Sequence, residues 1–104
     1  MVTLKEVQSE VTRQLNRDYE GRHIEDVQPM VLLGLAEEAG EVAGLMKRVL
    51  RNFPKDKERA TKENFIDEMG DVLWYLAAGC AVCETSLDEI WEHNIKKLKE
   101  RYGE

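Results

Sequence analysis

Five residues, Glu37-Glu38-Ala39-Gly40-Glu41, place three carboxylates in the middle of an apolar, helix-forming run from Val31 to Leu50. Like charges one turn apart repel each other and weaken a helix. Apolar neighbours raise the cost of keeping them ionised. A cation is the natural partner. Further along, Glu68 and Asp71 repeat the same three-residue step. Residues three apart on a helix project side by side, so Glu38/Glu41 and Glu68/Asp71 would converge on one point if their helices pack antiparallel. An all-oxygen set suits a hard cation. Mg²⁺ fits best, because it keeps several waters and shares its coordination sphere with substrate phosphates, and Mn²⁺ can substitute. No Glu-x-x-His occurs, so the di-iron pattern of ferritin-like bundles is absent. His23 and His93 have no ligand spacing to each other or to a cysteine, which argues against Zn²⁺. The competing reading is a solvated acidic face, ordinary in a chain with 35% charged residues. Helix phase weighs against it: at about 100° per residue, Glu38 and Glu68 each border an apolar stripe, Glu41 lies about 60° further round and Glu37 about 40° beyond Glu41. The residues alone leave both readings open.

Four helices must position these groups, and apolar spacing in threes and fours predicts them over about residues 3–20, 29–51, 61–84 and 86–102. The first opens on a capping box, Thr3-x-x-Glu6, carries Leu4, Val7, Val11, Leu15 and Tyr19 on one stripe, and stops near Glu20-Gly21. Residues 21–28 read as a polar connection, and Pro29 suits the first turn of the second helix, where a missing N–H costs nothing. Val31, Leu35, Val42, Met46 and Val49 then cluster on one face. Gly34, Gly40 and Gly44 lie near the carboxylate side, each costing about 1 kcal/mol against alanine, an expense that close approach of a ligand or of another helix would explain. Residues 52–60, with Pro54, read as a solvated loop whose cations (Arg51, Lys55, Lys57 and Arg59 at its edges) are within sequence reach of a phosphate. Thr61 caps the third helix, with Phe65, Met69, Val72, Leu76 and Cys83 on its stripe, Tyr75 on the flank of Glu68, and Trp74 turned elsewhere, toward a partner subunit. A second capping box, Ser86-x-x-Glu89, opens the fourth. Its apolar face holds Leu87, Trp91, Ile95 and Leu98, and Asn94 sits inside that face, where an amide needs a partner.

The expected architecture is therefore an all-α, four-helix bundle-like protomer in one domain, residues 1–104, and a helical chain this short completes its core by assembling into a homo-oligomer. A net charge of −6 argues against binding a nucleic-acid polymer. It does not exclude a small phosphate ligand, since a divalent cation inverts the sign of its site. No apolar run approaches the roughly 20 residues of a membrane span, the first residues are no signal peptide, and two cysteines without one fit the reducing cytoplasm. Cys80-x-x-Cys83 reads as packing on an apolar stripe rather than as a redox or zinc motif. Trp74 and Trp91 read as core or subunit contacts, Tyr19 and His23 as ordinary packing and solvent exposure, and the basic run Lys96-Lys97-x-Lys99-x-Arg101 as complementing a helix C-terminus, unless its alignment with Asn94 has a purpose.

Glu37-Glu38-x-x-Glu41, 26 intervening residues, then Glu68-x-x-Asp71, together with the tail Asn94-x-x-Lys97-x-x-x-Arg101-Tyr102, resembles the MazG-like branch of the all-α nucleoside triphosphate pyrophosphohydrolases over about residues 28–103. One departure is Gly103, where members often carry proline. The resemblance implies a helical bundle working as a homodimer or homotetramer. It also implies Mg²⁺-dependent hydrolysis of a nucleoside triphosphate (NTP or dNTP) to the monophosphate and pyrophosphate. On that resemblance Glu38, Glu41, Glu68 and Asp71 are expected as metal ligands and Glu37 as a further ligand or the group that handles the attacking water. Asn94, Lys97 and Arg101 are expected to contact phosphates or sugar, and Tyr75 to line the nucleotide pocket. Two alternatives share the acidic motif: a phosphoribosyl-ATP pyrophosphohydrolase, against which the Lys/Arg-Tyr tail speaks, and a non-catalytic helical interaction module.

Overall fold

The structure, a computed structural model, describes residues 1–103. Among them are four α-helices and no strand: α1 (Leu4–Asp18), α2 (Ile24–Arg51), α3 (Lys62–Val82) and α4 (Leu87–Tyr102). A single 3₁₀ turn, Lys57–Arg59, interrupts the α2–α3 connection. The all-α expectation holds, and so do three of the helix starts. Thr3 accepts from the Glu6 amide while the Glu6 carboxylate accepts from the Thr3 amide, both at 3.2 Å. Thr61 and Ser86 each accept from the third residue of their helix. Such a cap is worth about 1 kcal/mol. Gly103 ends α4 in the left-handed conformation, φ 71°, with its amide donating to the Lys99 carbonyl, a place glycine fills without steric cost.

The second helix begins earlier than expected. Residues 24–28 are helical, not a connection, and Pro29 lies inside α2 rather than at its first turn. Proline at that point removes one amide, the one that would bond to the Glu25 carbonyl. Val27 outweighs this: it is buried, four residues before the fully buried Val31 and on the same face. Acidic Glu25 and Asp26 favour the N-terminal turn. α1 stops slightly short of expectation, with Tyr19 as its C-cap and Gly21 turning the chain at φ 80°.

α2 and α3 run antiparallel. As numbers rise on one they fall on the other: the Gln28 side-chain amide donates to the Val82 carbonyl at 3.1 Å, a Cβ at Gly79 would touch Leu32, the Tyr75 ring lies on Gly34, and Glu41 stands beside Glu68. The pair has two halves. The first half of α2 and the last half of α3 join α1 and the start of α4 in one core of Val11, Leu15, Val27, Val31, Ala77, Ala78, Cys80, Val82 and Leu87. The other half is an arm of two helices, in which Leu45 and Val49 are buried apart from that core. Three glutamines tie the first half together. Gln8 donates to the Ala77 carbonyl at 2.9 Å and accepts from the Leu87 amide at 3.0 Å, Gln14 accepts from the Trp74 indole at 2.8 Å, and Gln28 joins α2 to the end of α3.

The apolar stripes are rotated from the expected phase. Met46, Met69 and Cys83 are exposed while Cys80 is buried, so the two cysteines do not share a face as expected. The cause is uneven company: the end of α3 meets three helices and buries small residues, Ala77 to Cys80, whereas its start meets α2 alone. Within the protomer the Trp74 indole bonds to α1 and its ring meets Tyr75 edge-on at 5.1 Å between ring centres. Trp91 is 56% exposed, because α4 is anchored chiefly through Leu87. No helix among the described residues is long and apolar enough to cross a membrane.

Candidate active site

The acidic residues meet at the seam between the two halves of the α2–α3 pair. Glu38 and Glu41, one turn apart on α2, and Glu68 on α3 bring one carboxylate oxygen each within 4.8 Å of one another. Glu38 and Glu68 are half-buried and Glu41 is exposed. Asp71, one turn past Glu68, stands close enough for its charge to act on both Glu38 and Glu68. Glu37 is exposed, as its helix angle predicts, yet its charge also reaches Glu38.

The electrostatics are those of anions crowded without a counter-charge. Burial first, then the neighbouring Glu41, Asp71 and Glu37, push the Glu38 carboxyl above its ordinary value. Burial first, then Glu41 and Asp71, do the same to Glu68, with Arg48 pulling weakly the other way. Oε2 of Glu38 is shielded from solvent and has no hydrogen-bond partner. An orphaned oxygen on a carboxylate grouped with other carboxylates is a poor arrangement for a salt bridge but a suitable one for a hard cation, which needs several oxygens and few of their hydrogen bonds. Glu38, Glu41 and Glu68, with Asp71 beside them, fit Mg²⁺ or Mn²⁺ by donor type and convergence.

Tyr75 stands on the core side of the cluster. A Cβ added at Gly34 would overlap its ring, with Cδ1 at 2.7 Å and Cζ at 2.8 Å. Only glycine lets the α3 ring lie on the α2 backbone there. Of the two explanations for the costly α2 glycines, helix approach applies at Gly34, whereas Cβ atoms at Gly40 and Gly44 would meet nothing within 4 Å. Burial chiefly, and then Tyr19, Glu38, Glu37 and Asp71, push the Tyr75 hydroxyl above its ordinary value.

The α4 residues do not reach the cluster within one protomer. Asn94 and Lys97 line a groove of about 590 Å³ with Leu73, Leu87 and Trp91, and none of the acidic residues of the seam lines it. Arg101 is exposed near the end of α4. Sequence reasoning gave no weight to Arg48. An exposed arginine in the last turn of a helix reads as ordinary dipole compensation. Its signal was the seven-residue step from Glu41, which returns to nearly the same face.

The raised carboxyls carry a pH prediction. Glu38 and Glu68 titrate from 4.5 when unfolded to a higher value when folded. Between those values the folded state binds more protons, so stability falls as pH rises through the folded value; below 4.5 the penalty is absent. The metal-free protein is therefore expected to lose thermal stability as pH rises from 4.5 through the raised folded values of Glu38 and Glu68, and saturating Mg²⁺ to flatten that slope. Melting curves at stepped pH in EDTA and in Mg²⁺ measure it. Parallel slopes in the two series would contradict a cation held by these carboxylates.

Comparison with known proteins bears on the same residues. A Gene 37 protein of Mycobacterium phage L5 is 32% identical over 71 residues, which are 68% of this chain and 62% of that protein, so the chain spans less than two thirds of that relative's length. An uncharacterized protein of Bacillus subtilis (strain 168), YvdC, is 32% identical over 90 residues, 81% of this chain and 85% of that one. No solved structure was found to match. The model of the MazG nucleotide pyrophosphohydrolase domain matches residues 28–104, a span that holds all but the first turn of α2, the whole of α3 and α4, and every acidic residue of the seam. The chain belongs to the MazG nucleotide pyrophosphohydrolase family.

Proposed function

We propose that this protein is a Mg²⁺-dependent nucleoside triphosphate pyrophosphohydrolase, one domain over residues 1–104, converting an NTP or dNTP to the monophosphate and pyrophosphate in the cytoplasm. The observation that carries the reading is the convergence of Glu38, Glu41 and Glu68, of which Glu38 has an oxygen with no partner, in a chain of this family. Glu38, Glu41, Glu68 and Asp71 would hold the metal, with Mn²⁺ as a substitute. When bound, it supplies charge neutralisation across the triphosphate and on the departing pyrophosphate. Glu37, exposed at the N-terminal side of the cluster, takes a proton from water as the water oxygen attacks the α-phosphorus. The bond from the α-phosphorus to the bridging oxygen breaks, pyrophosphate leaves with that electron pair, and Glu37 returns its proton to solvent. Tyr75 lines the nucleotide pocket on the core side.

Asn94, Lys97 and Arg101 contact phosphate or sugar in this reading, and they do so across a subunit boundary in a homodimer or homotetramer. Two features support assembly. The radius of gyration is 16.6 Å, against about 13 Å for a compact domain of this size. Large apolar side chains also stand in solvent, among them Leu33 at 71%, Leu50 at 69% and Trp91 at 56%, more than an isolated small domain usually leaves uncovered.

The test is pyrophosphate release from a panel of ribo- and deoxyribonucleoside triphosphates, with Mg²⁺ and with EDTA. At least one nucleotide is expected to yield monophosphate and pyrophosphate in equal amounts, with Mg²⁺ only. Silence across the panel at high protein concentration would remove the hydrolase reading. Orthophosphate as the product would remove attack at the α-phosphorus.

A further inference from the structure

We infer that Arg48 holds the pyrophosphate half of the bound triphosphate and so fixes which way the substrate lies along α2. The inference rests on the hydrolase reading above and adds a positioning residue and a direction to it.

The geometry comes from helix register. Arg48 follows Glu41 by seven residues, which places it about 20° round and about 10 Å further along the axis. Arg51 and Lys47, its basic neighbours, fall roughly 60° and 100° off that line. Side chains on a helix lean toward its N-terminus, so the Arg48 guanidinium is thrown back toward Glu41 rather than away from it. Antiparallel α3 brings Glu68 beside Glu41, so the line that Arg48 extends runs along the carboxylate cluster. Among the described residues no ion pair within 4.0 Å engages Arg48, and its side chain is exposed. It is an exposed cation on the line of the cluster, with no ion-pair partner of its own among the described residues.

The order along α2 then has chemical meaning. Glu37 stands on the N-terminal side of the carboxylates and Arg48 on the C-terminal side. In-line displacement at phosphorus needs the nucleophile and the leaving group on opposite sides of the reacting atom. A triphosphate lying along the seam with its α-phosphorus toward Glu37 and its β and γ phosphates toward Arg48 meets that demand; the reverse orientation puts the water-handling carboxylate against the leaving group. Arginine suits the task, since its planar fork engages two phosphate oxygens at once, which lysine does not. Lys97 of α4 lies in a groove that none of the seam carboxylates lines, so within the protomer Arg48 is the better placed for this role.

The test separates phosphate holding from turnover. Inorganic triphosphate is titrated with Mg²⁺ into the wild type, Arg48→Ala and Arg48→Lys by calorimetry, and Mn²⁺ alone is titrated into each. The expected result is Mg²⁺-dependent binding that weakens about tenfold or more in Arg48→Ala and less in Arg48→Lys, with Mn²⁺ affinity kept in both. Binding of inorganic triphosphate to Arg48→Ala within about twofold of wild type would overturn the inference. So would a wild type that binds none, or loss of Mn²⁺ affinity in Arg48→Ala, which would make the residue a support for the carboxylates. A protein that binds inorganic triphosphate through Arg48 yet releases pyrophosphate from no nucleotide would sink the hydrolase reading, and with it the substrate direction, leaving Arg48 only as a residue that holds triphosphate.

Discussion

Glu38→Gln is expected to lower pyrophosphate release by roughly a thousandfold and, in the same protein without metal, to raise the melting temperature. The two effects have one cause. Oε2 of Glu38 is shielded, lacks a partner, and shares its surroundings with Glu41, Glu68 and Asp71. An amide in that place bears no charge, and its NH₂ donates to the Glu41 carboxylate, so one shielded acceptor becomes a satisfied donor. The folded state gains because a repulsion has gone. Catalysis loses because an amide is a far weaker partner for Mg²⁺, and a metal contributes several kcal/mol of charge stabilisation at a phosphoryl centre, each 1.36 kcal/mol or so being tenfold in rate. Paired melting curves and pyrophosphate assays decide it. A variant that melts higher yet turns over normally would show that Glu38 is not a ligand. A variant that melts lower in EDTA would show that its carboxylate already has a stabilising partner in the chain.

Gly34→Ala is expected to destabilise the protein by about 1–3 kcal/mol, the usual cost of overfilling a packed site, although alanine favours a helix over glycine by about 1 kcal/mol. The Tyr75 ring occupies the place of the new methyl, and that ring cannot swing freely because it belongs to the packing around Trp74 and the main core. Either the ring moves or α2 and α3 part at that level. Gly44→Ala is the internal control. Its methyl meets nothing within 4 Å, so only the helix preference remains and stability should rise by up to about 1 kcal/mol. For a domain of this length the two variants should melt on opposite sides of the wild type, by about 4–8 °C per kcal/mol. Gly34→Ala melting with the wild type would mean that the two helices do not touch there. Pyrophosphate release should fall with Gly34→Ala as well, since Tyr75 is an electrostatic neighbour of Glu37, Glu38 and Asp71.

Local features were the legible ones. Thr3-x-x-Glu6 and the caps at Thr61 and Ser86 need only the next turn of chain, and all three are where their spacing puts them. The carboxylate pairs were legible because a three-residue step and a helix phase fix their directions before any partner is known; antiparallel packing then brings three of them together. Pro29 misled because its preference for a first turn is a local rule, and burial of Val27 against the rest of the core overrode it. Stripes on α3 were misjudged for a related reason. Their phase depends on which helices come to each end, and one end has three neighbours and the other has one. Gln8, Gln14 and Gln28 could not be found at all: an amide that clamps two helices has the same letter as one that faces water, and only the fold supplies its distant partner.

The seam divides α2 and α3 into a half held by a core and a half held by one neighbour. Opening free energy follows the number of buried contacts a segment keeps, so one unbroken helix crosses from a stiff region into a compliant one. Glu38 and Tyr75 stand on the stiff side, Glu41 and Glu68 at the edge of the arm. A cation bridging them would work as a clasp, fastening the compliant half to the stiff half at the point where triphosphate would arrive. Rigidity in the arm would then be acquired with the ligand rather than built into the chain.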